Sequence, residues 1–322
     1  MKNNKGLLII LGLIIIIFLI IIPIFTKKVF FADTGDYLGV ARYFHGDLRS
    51  VIRNTHNWDF GLFLSFFLKI WNSVIFLRII NAIWIIATSL ILYKLYPSRR
   101  VLLLWFLSPI VWYMAPYVHP LPMSTFFLTL SYYFLKKYEE NNKLIRLLWS
   151  GFFLGISALF WDGMLILSVF FIIAFFFNKK FSEVIYFILF FFVSFSIKLI
   201  TDWWLFGFPF FSTFRQLGST FLFVLKKAAY YDPGNTGFVH FIPINILFYF
   251  FAITPFLFIV YRSFKKNKQE NVFIFLVFLF FIFNNQPKYA LIIAPITLLL
   301  ISKEIRKNEL IINSFIPIIL II

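Results

Sequence analysis

Cysteine is absent from all 322 residues. Disulfides, thiolate zinc sites, iron–sulfur clusters and cysteine nucleophiles are therefore excluded. Charge is scarce, at 13% of residues, and acidic charge is scarcer still: 13 Asp and Glu stand against 30 Lys and Arg. No Pro- or Ser-rich linker, internal repeat or soluble-domain composition interrupts the chain. What is there is apolar: 61% of residues are hydrophobic, 50 are Phe, and the mean hydropathy is +0.90. A soluble domain of this size cannot hide so much apolar surface, because its volume grows too slowly relative to its area. Runs that cross a bilayer are expected instead. The net charge of +17 falls between those runs. Topology and anionic headgroups explain it better than nucleic acid, which is not expected as a partner.

The first run, residues 6–25, is uncharged and leads into Phe25-Thr26-Lys27-Lys28, with no small-residue cleavage site. It reads as a retained helix rather than a signal peptide. Further spans are predicted at 74–93, 101–117, 121–138, 147–160, 163–177, 184–206, 241–261, 272–283, 289–302 and 310–322. Several fall short of the roughly 20 residues a comfortable span needs. Trp161-Asp162-Gly163 could mark either a turn or only a kink. The expected architecture is an all-α, polytopic transmembrane bundle of about nine to eleven spans, forming one domain over 1–322. Two long outer loops, about 26–73 and 207–240, interrupt it, the first with short amphipathic helices. With the N-terminus in the cytoplasm, eighteen of the 30 basic residues fall on short cytoplasmic connections. Ten are spread over the longer outer loops, and Arg78 and Lys198 lie inside spans. This obeys the positive-inside rule and predicts a multi-pass cell-membrane protein. All six Glu then lie on the cytoplasmic side and all seven Asp on or near the outer side.

The chemistry is expected on that outer side. Just past the first span, Asp33 and Asp36 stand three residues apart in Phe31-Ala32-Asp33-Thr34-Gly35-Asp36-Tyr37. On a helix they share a face with Tyr37 and Ala41. Asp-x-x-Asp is also a helix-capping pattern, and from local sequence both readings stay open. A carboxylate at the interface can act as a general base. Two can hold a divalent cation such as Mg²⁺ or Mn²⁺, with Asp162, Asp202 and His119 as further outer-side ligand candidates. Asp162 and Lys198 sit in apolar surroundings, where ionisable groups pair or function.

Taken together, the opening helix, an outer loop with Asp33-x-x-x-Tyr37-x-x-x-Ala41 and a following amphipathic stretch resemble the GT-C glycosyltransferases. Protein O-mannosyltransferases, aminoarabinose transferases and glycosylphosphatidylinositol mannosyltransferases belong to that group. Arg78 in Phe76-Leu77-Arg78-Ile79 resembles the family's Arg-containing start of its second span. Gly151-Phe152-Phe153-Leu154-Gly155 resembles a mid-chain glycine motif. Gln286-Pro287-Lys288-Tyr289-Ala290 with Pro295 resembles a late Arg-Tyr feature, with Lys in place of Arg. The short length and the lack of a soluble C-terminal domain depart from the pattern.

The resemblance implies an inverting, mannosyltransferase-like glycosyltransferase that takes sugar from a polyprenyl-phosphate carrier to a lipid, glycan or protein acceptor. It implies Asp33 as base, with Asp36 as the alternative. Lys288 is expected first on the donor phosphate, then Arg78, Arg42 and Arg215. Tyr37, Asp162, His119 and Tyr289 are expected to line the substrate. Lys288 and Arg78 could equally be snorkelling interface residues. A lipid-linked sugar flippase or other transporter is the alternative class. It would call for broken helices with mid-membrane polar residues and repeat symmetry.

Overall fold

The structure, a computed structural model, describes residues 12–26, 32–50, 58–177, 179–224, 267–282 and 287–305. Those residues build helices and no strand. In lipid a lone segment must satisfy its own backbone groups, which the helix alone achieves.

Helix α1 (Gly12–Phe25) widens into a π-turn over Ile17–Ile21, directly before Pro23. Its last carbonyls have no intrahelical donor. The buried Arg78 guanidinium serves them, donating to Pro23 O at 3.0 Å and Thr26 O at 2.9 Å. Two short helices follow, α2 (Ala32–His45) and α3 (Trp58–Ile70). They pack tightly at Gly61, where a Cβ would stand 2.4 Å from Val40 Cγ1. The predicted amphipathic helices of the first loop are these two.

Helix α4 (Val74–Leu95) starts at Ser73, whose hydroxyl accepts from Ile75 N. The return is made by α5 (Arg99–Phe106) and α6 (Pro109–Met114). A single span was expected over 101–117. The chain instead breaks at Leu107-Ser108, because Pro109 offers no N–H and drives its predecessor out of the helical region. Helices α7 (Pro120–Asn141), α8 (Leu144–Phe160), α9 (Gly163–Phe176) and α10 (Phe181–Phe206) then run up and down. Asn142 and Gly207, at φ 52 and 72, end α7 and α10 in left-handed caps. Trp161-Asp162 is a full reversal between two helices, not a kink.

Helix α8 packs between α7 and α10. Its glycines permit this: a Cβ on Gly151 would meet Phe187 O at 2.2 Å, and one on Gly155 would meet Phe191 O at 2.2 Å. Apolar burial contributes little to helix association inside lipid, so close backbone approach and interhelical hydrogen bonds carry it. Ser194 Oγ donates to Phe152 O, and Ser157 Oγ to Ser124 O. Helix α11 (Phe211–Val224) follows Gly207. Helix α12 (Lys268–Ile282) precedes a 3-10 turn, Pro287–Tyr289, and then α13 (Ala290–Glu304), which is buried from Ala290 to Ser302.

Among the described residues two helices, Val74–Leu95 and Phe181–Phe206, are long and apolar enough to cross a bilayer; Gly12–Phe25, Leu144–Phe160 and Gly163–Phe176 are shorter apolar helices. The spans expected at 241–261 and 310–322 lie outside the described residues. The up-and-down course gives the bundle two chemically distinct ends. Asp36, Asp59, Asp162 and Asp202 lie at the end that holds the starts of α4, α7 and α9. Glu139, Glu140, Glu183, Glu270 and Glu304 lie at the other.

Candidate active site

At the Asp end, residues of α3, the α8–α9 turn and α11 converge on one ammonium group carried by α10. Lys198 and Asp202 stand one turn apart on α10, and Lys198 is wholly buried. An ammonium has three donors, and each is used. One goes to Asp162 Oδ1 at 3.0 Å, one to Ser212 Oγ at 2.7 Å and one to Asp59 Oδ2 at 3.3 Å. Ser212 passes the interaction on: its hydroxyl donates to Asp202 Oδ1 at 2.7 Å and its backbone N–H to Asp202 Oδ2 at 3.1 Å. Thr213, the next residue in the first turns of α11, donates to Asp162 Oδ1 at 2.9 Å.

Local sequence explains each placement. Asp59 sits in the first turn of α3, where a carboxylate meets the positive end of the helix dipole. Trp58 packs edge-on to Phe206 at 5.1 Å and so docks that turn onto the end of α10. Asp162 lies between Trp161 and Gly163, at the reversal from α8 to α9. A Cβ on Gly163 would strike the Trp161 ring at 2.4 Å, so glycine lets the indole fold over the turn. That ring stacks on Tyr289 at 5.4 Å, which brings the 3-10 turn and Lys288 to the same end.

Three carboxylates therefore share one ammonium in a site that is at most 6% exposed at Asp59, Asp162, Asp202 and Lys198. Burial pushes the Asp59 carboxyl up to about 6, against the pull of Lys198 and with the repulsion of Asp202 and Asp162. Among the described residues no group of three His, Cys, Asp or Glu is arranged to hold a metal ion.

Solved structures share this architecture. The crystal structure of ArnT from Cupriavidus metallidurans bound to undecaprenyl phosphate matches at a TM-score of 0.68 and 9% identity, over 99% of this chain and 64% of that one. The chain has a GT-C fold. The apo form of the same ArnT matches at a TM-score of 0.66 and 9% identity, over 94% of this chain and 59% of that one. This chain thus spans less than two thirds of the ArnT length. No protein-family model matches the sequence, and no curated protein does.

Within the GT-C fold the residues singled out by sequence fall into two groups and three outliers. Asp36 and Tyr37 are buried on α2, and Tyr37 meets His119 edge-on at 5.6 Å. Thr34 reaches the same strip of chain, donating to Val118 O. His119 caps α7, its Nδ1 accepting from Leu121 N at 3.1 Å. Asp33 belongs to the first turn of α2, but its side chain lies outside the described residues. The second group is Asp162, Tyr289 and Lys288, joined through Trp161. Lys288 is 1% exposed, with Nζ 5.3 Å from the centre of the Tyr289 ring. Arg42 and Arg215 are exposed, and Arg78, on α4, turns its guanidinium to the end of α1.

The sequence marks Asp202 only as a metal-ligand candidate and Lys198 only as a charge beside Asp162 in apolar surroundings, and it does not mark Asp59, Ser212 or Thr213 as site residues at all. One signal for part of the set was available: Lys198 and Asp202 are spaced i, i+4 within an apolar run, a pair that shares a helix face. Asp59, Ser212 and Thr213 carry no comparable local mark.

Proposed function

We propose that the chain is a membrane glycosyltransferase that takes a sugar from a polyprenyl-phosphate donor and delivers it to an acceptor on the outer face, inverting the anomeric configuration. The match of its fold, over 99% of the chain, to a protein solved with undecaprenyl phosphate carries this reading. The clustering of Asp36, Asp59, Asp162 and Asp202 at one end supports the site's location. The basic residues Lys94, Arg99, Lys137, Lys143 and Lys180, at the Glu end, support a cytoplasmic position for that end by the positive-inside rule.

The reaction is one displacement. The acceptor hydroxyl gives its proton to Asp33, with Asp36 as the alternative base, while its oxygen attacks the anomeric carbon. The bond from that carbon to the phosphate oxygen breaks, and the lipid phosphate leaves with the electron pair. Its growing negative charge is met by a fixed cation, Lys288 first, because preorganised charge in a water-poor site stabilises a transition state strongly. A mannose donor is the first to test.

Purified protein in nanodiscs, given polyprenyl-phosphate mannose and other polyprenyl-phosphate sugars, should transfer sugar. Asp33→Asn should slow transfer by about 1000-fold, the scale of a lost general base, while expression and topology persist. Full activity in Asp33→Asn and loss in Asp36→Asn would move the base role to Asp36. Full activity in both would remove the mechanism. Translocation of the lipid-linked sugar without transfer would make the chain a flippase.

A further inference from the structure

The two oxygens of Asp162 are treated differently. Oδ1 receives two donors, Lys198 Nζ at 3.0 Å and Thr213 Oγ1 at 2.9 Å. Oδ2 is buried and has no hydrogen-bond partner among the described residues. A buried carboxylate oxygen without a donor is strongly unfavourable, and native structures retain one where something else is to fill it. The neighbours have no donor to spare. Lys198 has committed all three N–H groups, to Asp162 Oδ1, Ser212 Oγ and Asp59 Oδ2. The Ser212 hydroxyl is given to Asp202, and the Thr213 hydroxyl to the other oxygen of Asp162.

The sign of the local charge narrows what can arrive. Asp59 on α3, Asp162 before α9 and Asp202 on α10 surround a single ammonium, so the cluster repels phosphate and carboxylate. A hydrogen-bond donor is what Oδ2 accepts. On a lipid-linked sugar the donors are the ring hydroxyls, whereas the phosphate offers acceptors only. We propose that Asp162 Oδ2 binds a hydroxyl of the transferred sugar, and that Lys198 and Thr213 are positioning residues that occupy the other oxygen and hold Oδ2 toward the substrate. This rests on the glycosyl-transfer reading and adds to it the atom that recognises the sugar.

Asp162→Asn tests the atom directly. The amide oxygen still accepts from Lys198 and Thr213, which forces the amide nitrogen into the Oδ2 position and turns an acceptor into a donor. The expected result is a fall in kcat/KM for the active polyprenyl-phosphate sugar of roughly 100-fold, since sites built to bond a hydroxyl discriminate on that scale or more. Binding of undecaprenyl phosphate, the probe without a sugar, should stay within about twofold of wild type on the same reasoning, because the phosphate makes no contact with Oδ2. Thr213→Val, nearly isosteric, should lower kcat/KM by about tenfold, in line with one lost hydrogen bond to a charged group. Lys198→Met should match Asp162→Asn, and Lys198→Arg should recover part of the loss.

Wild-type kcat/KM in Asp162→Asn overturns the proposal. So does a loss of undecaprenyl phosphate binding in step with the loss of transfer, which would make the cluster a structural support. No transfer by the wild-type protein from any polyprenyl-phosphate sugar overturns the parent reading. Normal wild-type transfer with an unaffected Asp162→Asn overturns the present proposal alone.

Discussion

The two ends of the bundle solve the burial of charge in opposite ways. At the Glu end every carboxylate with a described ion pair has a cation of its own. Lys136 binds Glu139 and Glu270, each at 2.9 Å, Lys137 binds Glu140 at 2.6 Å, and Lys179 reaches Glu139 at 3.4 Å. Tyr132 adds a hydroxyl to Glu270 at 2.7 Å. Three carboxylates meet three ammonium groups there, most of them partly exposed. At the Asp end three carboxylates draw on one ammonium, Asp59 and Asp162 directly and Asp202 through Ser212, all of them buried. Balanced pairs near water cost little to keep and contribute modestly to stability. An unbalanced buried set costs more than it returns. Its persistence points to chemistry, because perturbed and strained electrostatics concentrate at functional sites.

The contrast can be broken most sharply by removing one lysine from each end. Lys198→Met should cost about 100-fold in kcat/KM, whereas Lys136→Met should leave kcat/KM within about twofold while lowering the midpoint of thermal unfolding, because its loss leaves the buried Glu270 short of its cation. Equal activity losses measured in the two variants would erase the distinction.

Titration should separate the ends next, with opposite signs. The folded-state pKa of Asp59 is raised by burial to about 6. Ionising Asp59 therefore costs stability as pH rises from about 4 through about 6. Asp59→Asn escapes that cost, and its stability relative to wild type should improve over this window by up to about 3 kcal/mol. Glu270 behaves in reverse. Burial alone would raise it, but Lys136 and Tyr132 hold it below the ordinary range. Its contribution is present at neutral pH and is lost as pH falls below about 4.5. Glu270→Gln should thus be the less stable protein at pH 7, with the gap closing in acid. Chemical denaturation across pH reads both slopes; slopes of one sign would refute the contrast.

The smallest effect concerns a single bond. Tyr132→Phe removes the hydroxyl from Glu270 and should cost about 1.5 kcal/mol of stability, the usual worth of a hydrogen bond to a charged group, with no change in transfer rate. A rate change measured in that variant would tie the Glu end to catalysis.

Much of the bundle was legible before the fold was seen. Residues 74–93 were expected as a span and Val74–Leu95 is one helix; 163–177 was expected and Gly163–Phe176 is found. Apolar length is a local property, so composition in a window reveals it. The failure at 101–117 was local too. Pro109 was visible, and its effect on Ser108 could have been weighed against the apolar run. The site was legible in part. Asp162, Tyr289 and Lys288 were named and meet through Trp161. Tyr37 and His119 were named and touch. Arg42 and Arg215 are grouped with Lys288 as cations near the outer interface, yet both are exposed, on α2 and α11, because charge alone does not say which face of a helix turns inward.

Local chemistry written in the chain therefore determined the helices, their approximate ends, the sorting of Asp from Glu and the membrane character of this protein. Each follows from residues within one or two turns of one another. Only the tertiary structure decided that Asp59, Asp162 and Ser212 would close on Lys198, from positions 139, 36 and 14 residues away in the chain. Such a meeting depends on how α3, the α8–α9 turn, α10 and α11 pack, on glycines that admit a backbone and on an indole folded over a turn. No window of sequence contains that information, since the energy that settles it is shared among contacts far apart in the chain.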